Sequence, residues 1–409
     1  MSLIVQKFGG TSVADVERIR NVARRVQACR QRGDALVVVV SAMAGETNRL
    51  LALAREVCPE PDRRESDVLV STGEQVTTAL LAMALTHAGC PAVSLQGHQI
   101  RIVTDQSYSK ARIRSIDDAR IRAELAAGRV VVVAGFQGVD EDDNITTLGR
   151  GGSDTSGVAL AAALKADCCE IYTDVDGVYT SDPRIVPDAR KLQRISYDEM
   201  LELASLGAKV LQIRSVEFAK RYHVPVHVRS TFTETEGTWV VEEEASMEDV
   251  LVSGVTSDSN EAKITLLGVP DQPGLAARVF GPIADANIVV DMIIQNASAA
   301  ERTTDLTFTV PKADFAQAMD LVRRLQREIG AKDVRSDENI AKVSIVGLGM
   351  RSHAGVAAKM FRTLADVNIN IQMIATSEIK TSIVVDAKFV ELAVRVLHDA
   401  FIGGGRSSA

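Results

Sequence analysis

Two stretches of this chain, Gly274–Ile293 and Gly355–Ile374, align without gaps and are identical at ten of twenty positions. The shared residues include Ala276/Ala357, Phe280/Phe361, Asp285/Asp366, Asn287/Asn368 and Met292/Met373. The apolar segments before them, Lys263–Gly268 and Lys342–Gly347, match as well. Identity at this level marks two copies of one supersecondary unit. In the first copy the pattern predicts a strand over about 263–269, a helix over 274–286, strands over 288–297 and 303–310, a helix over 314–328 and a short strand near 332–336. That order is βαββαβ, a ferredoxin-like unit. The second copy is one strand short: after a helix over about 390–401 the chain runs into Gly403-Gly404-Gly405. An unpaired sheet edge is a liability. The unassigned strand-like segment 250–256 is therefore expected to cross over and complete the second sheet, the alternative being a three-stranded copy. The expected modules are 263–338 and 342–402, the latter completed by 250–256.

Residues 1–240 follow a different rule. Short β-branched runs (Leu36–Val40, Val130–Ala134, Glu170–Thr173, Pro225–Val228) alternate with helical periods (Val13–Cys29, Gly73–Ala88, Asp154–Leu164). This alternation predicts an open α/β sheet with ligands at the carboxyl ends of its strands. The acidic stretch Glu236–Asp249 reads as the boundary between the two halves. A net charge of −8 and 4% aromatic residues leave neither a basic footprint nor a stacking platform, so no nucleic-acid partner is expected. Runs such as Val130–Ala134 fall far short of the ~20 residues of a membrane span, and no basic segment precedes a long apolar one at the N-terminus. Five cysteines at 29, 58, 90, 168 and 169, an odd number without C-x-x-C spacing, fit reduced thiols. A cytoplasmic location without a membrane partner is expected.

Chemistry-bearing positions gather at the turns. The strand-like Leu3-Ile4-Val5 runs into Lys7-Phe8-Gly9-Gly10-Thr11-Ser12 and then into a helix. Glycines there let backbone N–H groups approach an anion closely, and Lys7 adds a positive charge. Taken alone, the loop is also what a tight βα turn with a surface lysine looks like. It is neither G-x-x-x-x-G-K-[ST] nor G-x-G-x-x-G. A second loop, Gly149-Arg150-Gly151-Gly152-Ser153-Asp154-Thr155, opens the helix near 154, with Ser153 or Asp154 as a candidate N-cap. Arg150 would sit beside exposed N–H groups, suited to a carboxylate or phosphate. Ser71-Thr72-Gly73-Glu74-Gln75 is read as another helix start, with Glu74 in the first turn, where a capping role alone would explain it. The strand end at Thr173-Asp174, with Tyr179, Asp182 and Arg184 behind it, could hold a nucleoside and its phosphates, although Asp176-Gly177 is ordinary turn chemistry. Lys209 is a lone lysine that a solvated side chain would equally explain.

In combination, KFGGTS, Ser41 after the second strand, STGEQ, GRGGSD, YTDVDG, DPR, GAK and the C-terminal repeat resemble the aspartokinases of the amino-acid kinase family across essentially the whole chain. Glutamate 5-kinases and uridylate kinases share the fold but not KFGGTS with GRGGSDT and a pair of ACT modules. The resemblance implies a three-layer open α/β sheet followed by two ferredoxin-like ACT domains. It implies ATP-dependent phosphorylation of the L-aspartate β-carboxylate, with Mg²⁺ on phosphate oxygens and no protein metal ligand named. Lys7, Asp154 and Lys209 would be catalytic, while Gly9, Gly10, Thr173, Asp174, Tyr179, Asp182, Arg184 and Lys209 would serve ATP together with Lys7. Ser41, Thr47, Glu74, Arg150 and Ser153 would form the aspartate pocket. Lysine and threonine are the implied effectors, at Asp271, Gly274, Ala276, Gln295, Asn368 and Asn370. The second copy departs from the pattern, since Ser352-His353-Ala354-Gly355 lacks a proline before the glycine. The implied assembly is a homo-oligomer through the ACT domains, or α₂β₂ with a small subunit started internally at Met247.

Overall fold

Uninterrupted β-branched runs such as Val37–Val40 and Val130–Val133 can only be buried on both faces, as a parallel sheet requires. They form the centre of an eight-stranded sheet. Its order is Arg194–Ser196, Thr238–Val241, Val226–Ser230, Cys168–Thr173, Leu3–Phe8, Ala35–Val40, Val130–Ala134 and Ala92–Leu95. Every pairing is parallel except that of Val226–Ser230 with Thr238–Val241. The computed structural model describes residues 2–207, 210–243, 251–298, 303–351, 353 and 355–403.

Helix Val16–Gln31 starts at Asp15, whose side chain accepts from the Arg18 N–H at 2.8 Å, and it buries Ile19, Val22 and Val26 against the sheet. Leu81 and Leu85 of helix Arg63–His87 join the same cluster. That helix has the length and composition to cross a bilayer. Its buried Val70, Leu81 and Leu85, together with the buried Asp67 and Glu74, mark it as a core helix. A small second sheet, ordered Ile113–Ile116, Ile102–Thr104, Gln137–Val139 and Ile145–Thr147, leads into the second glycine loop.

Two compact units result: Met1–Tyr179 with Lys191–Ser205 and Lys209–Ala245, and Thr180–Arg190 with Leu206–Ala208 and Ser246–Ala409. The second unit contains two four-stranded antiparallel sheets. The first copy of the repeat orders Ile293–Ser298, Thr303–Pro311, Glu261–Pro270 and Asp333–Asp337. The second orders Gly254–Asp258, Ile340–Val346, Lys380–Asp386 and Met373–Thr376. The crossing strand therefore lies at Gly254–Asp258, a few residues beyond the expected start, and runs antiparallel to Ile340–Val346.

Identities within the repeat have backbone causes. Gly274 and Gly355 take φ of 88° and 97° before their helices, and Asn287 and Asn368 take 57° and 60° just after them. Such values favour Gly and Asn over other residues. The copies also touch reciprocally. Lys342 reaches Glu261 at 2.7 Å and Asp291, while the equivalent Lys263 reaches Gln372, which occupies the position of Asp291. Met292, Ile340, Met373 and Val384 fill the space between.

The first unit does not contain all of residues 1–240. Thr180–Arg190 leaves it and is built into the second module. Val186 is buried in that module's core, with Ile185 and Ala189 packed against it. Arg395 Nε donates to Ile185 O at 2.9 Å, Arg190 Nη2 to Ile402 O at 2.6 Å, and Thr180 Oγ1 lies 2.9 Å from His398 Nε2. The apolar Ile185-Val186 pair gives the excursion its reason, since that core takes Val186 out of water and Ile185 partly so.

Candidate active site

At the carboxyl ends of the central strands the first unit opens into a cavity of about 480 Å³, the size of a small-molecule site. Lys7, Gly10, Ser41, Thr47, Glu74, Arg150, Ser153 and Asp154 all line it. With Ser109 and Phe136 also on its wall, six separate segments, spread over nearly 150 residues of sequence, converge on one cavity.

Lys7 sits opposite Val39 and Ile171 in the sheet, one residue before the strand ends, and is 8% exposed. Its stem passes helix Gly152–Leu164 at Gly157, where a Cβ would lie 3.2 Å from Lys7 Cβ. Its Nζ lies 2.5 Å from Asp154 Oδ1, in the first turn of that helix. Gly10 admits the segment after the second strand: a Cβ there would meet Ala42 O at 3.0 Å. Ser41 N–H donates to Phe8 O at 3.1 Å, so the two strand ends are tied together. Gly9 stands behind this wall, its N–H donating to Tyr172 O at 3.2 Å.

The second glycine loop differs from expectation at its cap. Neither Ser153 nor Asp154 caps the helix: Gly151 does, at φ 68° with no side-chain hydrogen bond, and both polar residues lie inside the first turn facing the cavity. Gly151 is required twice over, by its left-handed φ and by Gln212, whose Cγ would lie 1.7 Å from an added Cβ. Gln212 Nε2 donates to Arg150 O at 3.1 Å.

Glu74 also corrects the sequence reading. It lies near the middle of the 25-residue helix Arg63–His87, which is capped by Asp62 accepting from Glu65 N–H at 3.1 Å. A helix start carrying Arg63, Arg64 and Glu65 has no apolar stripe to announce it. Only 3% exposed, Glu74 accepts from Ala42 N–H at 3.0 Å through one oxygen. Its other oxygen has no hydrogen-bond partner among the described residues. Burial pushes its carboxyl up to about 7, against the lowering effect of the Ala42 N–H. A buried carboxylate left half-paired at the wall of a cavity is a place for a cationic ligand group.

The remaining expected residues lie elsewhere. Thr173 ends strand Cys168–Thr173 and Asp174 follows it, with Thr173 Oγ1 donating to Asp174 Oδ1 at 3.1 Å. Tyr179 OH donates to Asp176 Oδ1 at 2.9 Å. None of the three lines the cavity. Asp182 and Arg184 pair with each other at 2.7 Å on the excursion that belongs to the second unit. Lys209 and Met247 lie outside the described residues. Asp271, Gly274, Ala276, Gln295, Asn368 and Asn370 are spread over the two modules, all exposed. Sequence reading missed Asp67, Phe136 and Thr147 on the cavity wall. Of these only Phe136 carries an outward mark, a φ of 69° that a bulky residue rarely adopts, and it shows in the backbone alone.

The amino acid kinase family matches residues 2–230, and the ACT domain family matches 264–325 and 343–401. The chain is 62% identical over 403 residues to the aspartokinase of Pseudomonas aeruginosa, covering 98% of each protein. It is 48% identical over 413 residues to that of Corynebacterium glutamicum, covering all of this chain and 98% of the other. The chain is an aspartokinase of the amino acid kinase family. Among solved structures, Escherichia coli aspartokinase III in complex with aspartate and ADP superposes with a TM-score of 0.82 at 28% identity, over 97% of this chain and 99% of that one. The same enzyme in complex with lysine and aspartate gives 0.79 over 98% and 99%.

Proposed function

We propose that the cavity beside Lys7 is where this aspartokinase phosphorylates the β-carboxylate of L-aspartate from ATP, giving 4-phospho-L-aspartate and ADP. The observation that carries the reading is the half-paired Glu74 facing the same cavity as Arg150 and the Lys7–Asp154 pair. Glu74 takes the α-ammonium group and Arg150 clamps a carboxylate with its fork of N–H donors. Ser41, Thr47 and Ser153 complete the pocket.

A carboxylate is already a nucleophile, so the step needs no strong base. One of its oxygens bonds to the γ-phosphorus, the bond to the departing ADP oxygen breaks, and no proton moves. What remains is charge neutralisation and alignment. Lys7, fixed by Asp154, and the backbone at Gly10 meet the transferring group, the Gly9 N–H being already given to Tyr172 O. Thr173, Asp174, Tyr179 and Lys209 serve the nucleotide, whose phosphate oxygens would carry Mg²⁺ with water, as that ion prefers. Feedback inhibition by lysine and threonine, acting through Asp271, Gly274, Ala276, Gln295, Asn368 and Asn370, places the reaction at the head of lysine, threonine and methionine synthesis. Assembly runs through the ACT domains, as a homo-oligomer or with a small subunit started at Met247. Five free cysteines accord with a cytoplasmic enzyme.

The test is trapping of the acyl phosphate as a hydroxamate, with ATP, Mg²⁺ and aspartate. Lys7→Met should lower kcat by roughly 10²–10³-fold, with lysine and threonine added singly and together to wild type. Absence of aspartate-dependent hydroxamate would overturn the catalytic reading, and rates unmoved by either amino acid would overturn the regulatory one.

A further inference from the structure

The loop bearing Arg150 is held from two sides by charged residues with no part in the chemistry above. Asp67, on helix Arg63–His87, is 1% exposed and accepts four hydrogen bonds. Two come from Ser109, the backbone N–H at 2.8 Å and the hydroxyl at 3.2 Å. Two come from Thr147, the N–H at 2.8 Å and the hydroxyl at 2.7 Å. Thr147 closes strand Ile145–Thr147 and stands three residues before Arg150. Ser109 holds a left-handed φ of 69°, and its carbonyl lies 2.9 Å from where a Cβ on Gly149 would be. On the other side Arg214, in helix Ile213–Tyr222, donates to Leu148 O at 2.6 Å and to Ala111 O at 2.9 Å. One anion thus collects the donors, and one cation the acceptors, of the same two segments.

We propose that Asp67 and Arg214 are positioning residues for Arg150, fixing the height at which the Gly149–Gly152 loop presents its guanidinium to the substrate carboxylate. The inference rests on the reading of Arg150 as that carboxylate's clamp. One Asp67 oxygen takes both backbone N–H groups and the other takes both hydroxyls. An alanine leaves all four donors without their acceptor in a buried place, whereas an amide could keep the N–H pair and donate to the two hydroxyl oxygens. The Arg214 fork spans two separate carbonyls with two different nitrogens, a reach that one ammonium nitrogen does not have.

Steady-state kinetics of the full-length enzyme decides the matter. Asp67→Ala should raise the KM for aspartate by about tenfold or more, with kcat and the KM for ATP nearly unchanged. Arg214→Lys should move the same constant in the same direction. It carries the test should the Asp67 variant fail to fold. Arg150→Ala alone should raise the aspartate KM, and adding Asp67→Ala to it should raise the value no further. An unchanged aspartate KM in Asp67→Ala and Arg214→Lys, or the full effect persisting without Arg150, overturns the proposal while leaving the site reading intact. An Arg150→Ala enzyme with wild-type KM overturns the site reading itself.

Discussion

Glu74 carries the sharpest consequence at the scale of a single residue. With its carboxyl raised to about 7, the neutral acid dominates in the free enzyme below that pH. An α-ammonium group pairs with the carboxylate and not with the acid, so aspartate binding must expel the proton. The KM for aspartate is therefore expected to rise as pH falls from 8 to 6, approaching about tenfold per unit below 7, as linkage to one proton requires. Glu74→Gln should flatten the profile at a high KM. The sign for stability is the opposite. A carboxyl raised on folding stabilises fully below its unfolded value of 4.5 and loses that contribution as pH rises through 7. Ligand-free Glu74→Gln should accordingly melt higher than wild type at pH 8, and scanning calorimetry across pH 6–8 would show it.

Elements explain what could and could not be read in the sequence. The glycine loops were legible because close backbone approach needs glycine, and Gly10 and Gly151 are each faced by an atom that a Cβ would strike. Gly151→Ala should cost about 1–3 kcal/mol from its left-handed φ alone, and more from Gln212, with the damage appearing as a raised aspartate KM. A denaturation midpoint and KM equal to wild type would remove that account. The repeat was legible because its identities answer to backbone turns, Gly274 and Gly355 before the helices and Asn287 and Asn368 after them. Helix Arg63–His87 was misread at its start because two arginines and a glutamate occupy its first turn, and Glu74 moved with it from a cap to a buried wall. Asp67 stayed hidden for a related reason: an aspartate in a polar helix start looks solvated. Arg214 binds carbonyl oxygens, which every residue has, so no pattern of side chains could betray its partners.

In the molecule as a whole, the two repeats meet through a contact that symmetry makes double but chemistry makes unequal. Lys342 is enclosed with Glu261, their side chains 3% and 8% exposed, whereas among the described residues its counterpart Lys263 meets the neutral Gln372. Removing one partner of a buried ion pair strands the other. Lys342→Met is expected to destabilise the repeat-containing unit by about 3 kcal/mol, against about 1 kcal/mol for Lys263→Met. Urea titrations of the two variants would reveal the inequality, and equal losses would deny it.

The Thr180–Arg190 excursion changes where this protein could be cut and recombined. A gene fragment beginning after Ala245 encodes both ferredoxin-like modules yet omits Ile185, Val186 and Ala189, which the second module's core uses. A fragment ending there carries an apolar loop with no core to enter. Chimeras that exchange the repeat-bearing halves between relatives must therefore count 180–190 with the repeats, and its sequence should be transplanted with them and not with the kinase around it.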